Sequence, residues 1–325
     1  MEGISQWRIE PSGSAEAIAP EERGLDGPGQ GGPGFVWLHV DTAKPGARDW
    51  LTGLALEPLV LRALLAPETR PRCTVHRDGV LMNLRGVNLN PGDEVEDMIS
   101  LRMWVTGPLV VTVQLRQLKG VSDVMAEVER GQGPGHPAEL VARLALRLAD
   151  RAEPVVAELN EQVDVLEDEV IGGISATSRF DLGTIRRTAI LLRRHMAPQR
   201  DALSTFEIEE LPWIEPESRP RLREATERMT RLAEELDAIR DRAQVVQDQL
   251  MVSRAEAMNR QMLILSVVAA IFLPLGLITG LLGINVGGIP GAENPWSFWI
   301  VTIGLALVGV VLVLLFRRVG MLNRR

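Results

Sequence analysis

The chain has 325 residues, with 35 Lys and Arg against 43 Asp and Glu, and a net charge of −8 at pH 7. Its single cysteine, Cys73, excludes an internal disulfide framework and a thiolate-rich zinc site. Residues 1–261 hold 31 basic and 42 acidic groups, a balance of −11. Such an acidic part repels nucleic acid and anionic lipid and concentrates cations.

Residues 1–34 are rich in Gly, Pro, Glu and Ser, and we read them as a loose segment. No basic-then-apolar run opens the chain, so no signal peptide is expected. Residues 35–220 read as an α/β domain with a helical hairpin. Phe35 to Val40 is β-branched and aromatic enough for a strand, and 80–89, 98–105 and 109–115 give three more. Short helices are expected at 47–54, 58–65 and 121–129. A long helix opens at His136-Pro137 and ends at Gly172-Gly173, with a kink at Pro154. Asp181 caps the next, which runs to about Glu210 with an interruption at Pro198.

From Leu222 to Ala257 apolar and small residues step by three and four without a break, through Met229, Leu236, Ala243 and Leu250. This is a heptad seam, and it implies that 221–261 form a stalk helix coiled against neighbouring copies. With no Gly or Pro from Arg221 to Leu273, the helix most simply continues to Leu282, roughly 90 Å in all.

Residues 262–282 and 296–316 are two runs of 21 residues without a charged side chain. Each is long enough to cross a hydrocarbon core of about 30 Å, and the 13-residue loop 283–295 makes them a hairpin. Arg254 and Arg260 precede the first run, and Arg317, Arg318, Arg324 and Arg325 follow in and around the basic tail 317–325. The loop has no Lys or Arg, so both termini are expected on the cytoplasmic side of the inner membrane, with Trp296 and Trp299 at the outer interface.

In the first run Ser266, Ala269, Gly276, Gly280 and Gly283 share a face with Leu273. A small face suits close helix packing or the lining of a narrow pore. We take Met262, Leu265, Ala269, Leu273, Gly276 and Gly280 as candidate pore-lining residues. Two helices cannot enclose a pore, so such a transporter is a homo-oligomer in the lipid bilayer. Without a carboxylate in the run, an ion passes with much of its water, held by carbonyl and amide oxygens. Asn285, between Gly283 and Gly287, is the candidate for that contact, with a helix cap as the alternative. Asp248 and Glu293 are weaker inner-mouth and outer-loop candidates. Cys73 and His76 lie three apart, which on a strand puts them on opposite faces. His39, His136 and His195 are isolated, and Arg186, Arg187, Arg193, Arg194 and Arg200 are best explained by internal salt bridges. No phosphate loop or nucleophile motif occurs, so no enzyme is expected.

The hairpin with Gly283-Ile284-Asn285 after Phe272-Leu273-Pro274 resembles the CorA family of divalent metal transporters. Gly287-Gly288-Ile289-Pro290-Gly291, Glu68-Thr69-Arg70-Pro71-Arg72, Met196-Ala197-Pro198-Gln199-Arg200-Asp201 and Leu211-Pro212-Trp213 are similar to its zinc transporter branch, ZntB. The resemblance implies a homopentamer: an α/β cytoplasmic domain, a long stalk helix that becomes the pore-lining first membrane helix, and a second membrane helix outside it. It implies an outer selectivity site at Gly283, Ile284 and Asn285, and transported zinc rather than a bound cofactor. Ile284 in place of Met, and Leu282 in place of an aromatic residue, lean to zinc over magnesium, cobalt or nickel. Proton coupling and direction stay open. A membrane-tethered metal sensor or scaffold is the alternative of another class.

Overall fold

The structure, a computed structural model, describes residues 2–19, 34–67, 70–172, 181–284 and 286–319. The chain divides into two units, Met1–Gln247 and Asp248–Arg325.

The first unit is built on a seven-stranded sheet. Its strands are β1 (Ile4–Ile9), β2 (Ala15–Ala17), β3 (Phe35–Asp41), β4 (Arg72–His76), β5 (Gly79–Gly86), β6 (Ile99–Val105) and β7 (Leu109–Gln114), in the order β2-β1-β3-β7-β6-β5-β4. Only β3 and β7 pair in parallel; every other neighbour is antiparallel. The period-two alternation of a strand sends Val36, Leu38 and Val40 to one face with Leu81, Trp104, Val111 and Val113. Helices α1 (Ala47–Thr52) and α2 (Pro58–Leu64) cover that face with Trp50, Leu51, Val60 and Leu64.

The opposite face carries α3 (Lys119–Glu129), α4 (Pro137–Ile171) and α5 (Leu182–Ile208). A side chain at Gly86 of β5 would stand 2.7 Å from Leu148 Cδ2, so glycine there lets α4 close on the sheet. Asp181 caps α5 through the Gly183 N–H, at 3.1 Å. Pro154 and Pro198 both lie inside their helices, so α5 runs on through the position expected to interrupt it.

Helix α6 (Arg219–Leu282) begins in this unit. Its Arg228 and Arg242 are bonded to Asp150, Asp164 and Glu167 of α4, and its Asp237 receives Arg193 of α5 at 2.8 Å. Leu222, Ala225, Met229, Leu232, Leu236, Ile239, Ala243 and Val246 are all buried within the chain. The seam expected to coil against neighbouring copies is therefore filled from inside for most of its length. A heptad pattern marks one long buried face, and the chain's own helices cover it here. The amino-terminal stretch also departs from expectation. Residues expected to be loose form β1 and β2, with Ile4, Trp7 and Ile9 buried against the sheet. The strand is only six residues long, and the Gly- and Pro-rich sequence around it hid its apolar content. The Gly-rich stretch 28–33 lies outside the described residues, as does Gly173.

In the second unit, α6 continues to Leu282 with Pro274 inside it, and α7 (Ser297–Arg318) follows the loop. Both helices are long and apolar enough to cross a membrane. Their surfaces are almost wholly exposed in a single chain, the reverse of a soluble core.

Candidate functional site

Within the hairpin, Val267 is the one buried residue of α6, and Ile271, Pro274 and Leu275 are half-buried. At 100° per residue these four share one side of the helix. Leu275 Cδ1 lies 4.0 Å from where a side chain at Gly309 of α7 would begin, so this side is the one that faces α7. Met262, Leu265, Ala269, Leu273, Gly276 and Gly280 occupy the other side of α6. All six are exposed, Leu265 to 70% and Leu273 to 74%. A side chain added at Gly276 or Gly280 would meet nothing within 4 Å.

At the end of α6 the Gly283 N–H donates to the Thr279 carbonyl at 2.9 Å and closes the last turn. The Thr279 hydroxyl turns back to the carbonyls of Leu275 and Gly276, at 2.9 and 3.1 Å, and offers no free donor outward. What remains is the carbonyl end of a long helix, which carries partial negative charge and suits a cation. Ile284 is half-exposed, and its carbonyl accepts the Val286 N–H at 2.8 Å. Asn285 lies outside the described residues. Gly288 and Gly291 have φ of 100° and 79°, which glycine alone adopts without strain. The Ser297 hydroxyl donates to the Gly291 carbonyl at 2.6 Å, and the Asn294 side chain accepts the Trp296 N–H at 3.0 Å. These bonds tie the loop to the start of α7, where Trp296 and Trp299 are exposed.

A charge-free face, a carbonyl-rich helix end and a short tied loop are chemically compatible with the passage of a hydrated cation. A family model described as CorA-like Mg2+ transporter protein matches residues 32–318. The chain belongs to the CorA family. It is 40% identical over 286 residues to the divalent cation transporter CmaX of Pseudomonas aeruginosa, covering 87% of this chain and 86% of that one. The zinc transport protein ZntB of Pectobacterium carotovorum is 35% identical over 264 residues, covering 81% and 80%. A solved structure of full-length CmaX superimposes with a TM-score of 0.80 over 97% of both chains, at 36% identity.

The remaining polar candidates of this CorA-family chain do not gather into an ion site among the described residues. Asp248 and Glu293 are exposed, and Asp248 has an interaction partner. Register places Cys73 opposite Met82 and His76 opposite Gly79, on opposite faces of the sheet. His76 Nε2 bonds Glu57 at 2.9 Å, and burial together with the Glu209 carboxylate pushes the Cys73 thiol up to about 12. Neither is poised as a metal ligand, and among the described residues no three His, Cys, Asp or Glu cluster to hold an ion. His39 is buried beside Thr112, whose hydroxyl lies 2.8 Å from Nδ1 and also receives the Trp37 indole N–H at 2.9 Å. Burial lowers His39 to about 4; burial and then Arg85, Arg194 and Arg70 lower His195 to about 4, so both imidazoles are neutral. Of the basic residues on α5, Arg193 pairs with Asp237 and Arg200 with Asp201.

The α7-facing side of α6 escaped sequence reading, because Val267, Ile271 and Leu275 sit in the stretch 267–275, where every position is apolar. The glycines were the one available signal, and they mark the side left free.

Proposed function

We propose that this protein moves divalent cations, zinc foremost, across the inner membrane through a pore on the axis of a homo-oligomer. Five copies is the number that the family resemblance implies. The observation that carries this reading is the division of α6. One side packs on α7, and the opposite side, with its glycines and no charge, stays free within the chain. In a homo-oligomer those free sides can meet around an axis, with α7 outside. Met262, Leu265, Ala269, Leu273, Gly276 and Gly280 then line the path, and Gly283, Ile284 and Asn285 form its outer mouth. Asn285 meets the hydrated ion through its amide oxygen. Asp248 near the inner end and Glu293 in the outer loop raise the local cation concentration.

The Arg-rich flanks, Arg254, Arg260, Arg317 and Arg318, support cytoplasmic termini and an outward loop. No acid or histidine lies within 262–282 or 296–316, so any proton coupling uses groups outside the helices. Zinc is favoured by the relatives named for zinc transport and by Ile284; the family description favours magnesium. Zinc uptake into proteoliposomes under magnesium competition decides between them. The expected result is zinc flux that excess magnesium leaves largely intact. Absence of flux of either ion, under any gradient, overturns the transport reading in favour of a membrane-tethered scaffold. On the same vesicles, Asn285→Ala should lower affinity and selectivity, and Asn285→Asp should tighten binding and slow release. Wild-type flux and ion preference in both variants would make Asn285 a helix cap.

A further inference from the structure

One cavity of the first unit, about 390 Å³, is lined by Asp123, Glu127, Arg130, Arg147, Asp150 and Arg151. Apart from the exposed Arg130, its charges are met internally: Arg147 bonds Glu127 and Asp150, and Arg151 bonds Asp123 at 2.7 and 2.8 Å. Such a groove has no residual demand for a ligand.

A second cavity, about 230 Å³, differs in this respect. It lies where α1 and α2 cover the sheet and is lined by Thr42, Arg48, Leu64, Ala66, Arg102 and Leu115. Arg102 sits in the middle of β6 and is only 4% exposed. Its Nη2 donates to the Pro67 carbonyl at a long 3.3 Å, and its Nε has no hydrogen-bond partner among the described residues. No carboxylate among the described residues pairs with it or with Arg48, which stands exposed at the cavity rim. Burial, and then the like charge of Arg85, lower the Arg102 pKa. A guanidinium does not shed its proton under these conditions. A buried, unpaired and permanently charged donor fork is strongly unfavourable unless an anion meets it. Guanidinium geometry matches the paired oxygens of phosphate or carboxylate.

We propose that the Arg102 cavity binds a small oxyanion, free phosphate or a short carboxylate, held by the guanidinium of Arg102 with Arg48 closing from the rim. Arg102 supplies the buried contact and Arg48 the exposed one, while Leu64, Ala66 and Leu115 limit the size. The site belongs to the α/β unit and does not depend on ion conduction.

The test is thermal unfolding of the full-length, metal-free protein in detergent, followed by tryptophan fluorescence. Inorganic phosphate is titrated at constant ionic strength against chloride, with succinate in a parallel series. The expected result is a saturable rise in Tm with at least one of the two, and the series with the lower half-saturation names the source. Arg102→Met should abolish the rise. Arg48→Ala, at an exposed position that does not threaten folding, should raise the half-saturating concentration about tenfold. Two results overturn the proposal. One is a wild-type Tm no more responsive to phosphate or succinate than to chloride. The other is a rise that survives unchanged in Arg48→Ala and in any folded Arg102→Met protein.

Discussion

Replacing Gly276 and Gly280 together by leucine separates the pore-lining reading of α6 from a merely structural one. In a single chain neither substitution has a neighbour to strike, since a side chain there meets nothing within 4 Å. Helix propensity favours the change by about 0.8–1 kcal/mol per site, so the isolated hairpin should be no less stable, and up to roughly 2 kcal/mol more so. Any loss must then come from what neighbouring copies do on that side. Two leucines per copy crowd a narrow axis with apolar bulk, and a barrier raised by only about 1.4 kcal/mol already costs tenfold in rate. The assay is zinc flux in proteoliposomes, with size-exclusion chromatography of the same preparation. Flux should fall at least about tenfold while the hairpin stays inserted. The control is Gly309→Ala on the α7 side, where a methyl meets Leu275 Cδ1 at an ordinary 4.0 Å and flux should persist. If the double leucine variant conducts like wild type in an intact assembly, this side of α6 lines nothing.

Two further outcomes concern the α/β unit. His39 titrates near 4 when folded and near 6.5 when unfolded, so its neutral burial favours the fold above about pH 6.5. That contribution, about 3 kcal/mol, is lost as pH falls from 6.5 toward 4, where the unfolded chain binds the extra proton. Thermal unfolding of His39→Gln beside wild type should show a shallower fall in Tm across that window; equal slopes would remove His39 as a cause. His195 has the same direction of shift and leaves a residual slope in both proteins. The Cys73 thiol, raised to about 12 by burial and Glu209, should react with iodoacetamide at pH 8 only after denaturation. Fast native labelling would show that the β4 edge opens.

Much of the fold was legible because its signals are local. Pro58 opens α2, Asp181 caps α5, and alternation in 99–105 and 109–114 fits strands whose register fixes the sheet. Where reading failed, a non-local contact decided. Ile4, Trp7 and Ile9 form too short a run to stand out between Gly3 and Pro11, and they become a strand because β3 offers an edge. β4, whose exposed pattern lacks alternation, was missed for the same reason. From Leu222 to Val246 the heptad seam gave the right buried face and the wrong partner, since periodicity reports that a face is covered and not what covers it.

The candidate site divides along the same line. That residues 262–282 form a helix with a glycine side follows from sequence, because uncharged length and small-residue spacing are properties of one segment. Which side is free follows only from the hairpin, where Val267, Ile271 and Leu275 turn to α7 and thereby point the glycines away. Arg102 shows the converse. A lone Arg in Ile-Ser-Leu-Arg-Met-Trp-Val is a visible anomaly in a buried strand whose one other polar side chain is the small, uncharged Ser100. Sequence cannot say whether a carboxylate from another strand meets it. In the sheet its opposite residue on β5 is Asn83 and on β7 Val113, neither of them an anion, so among the described residues the anomaly persists after folding. A charge that survives both tests, patterning and packing, is better explained by a ligand than by the fold.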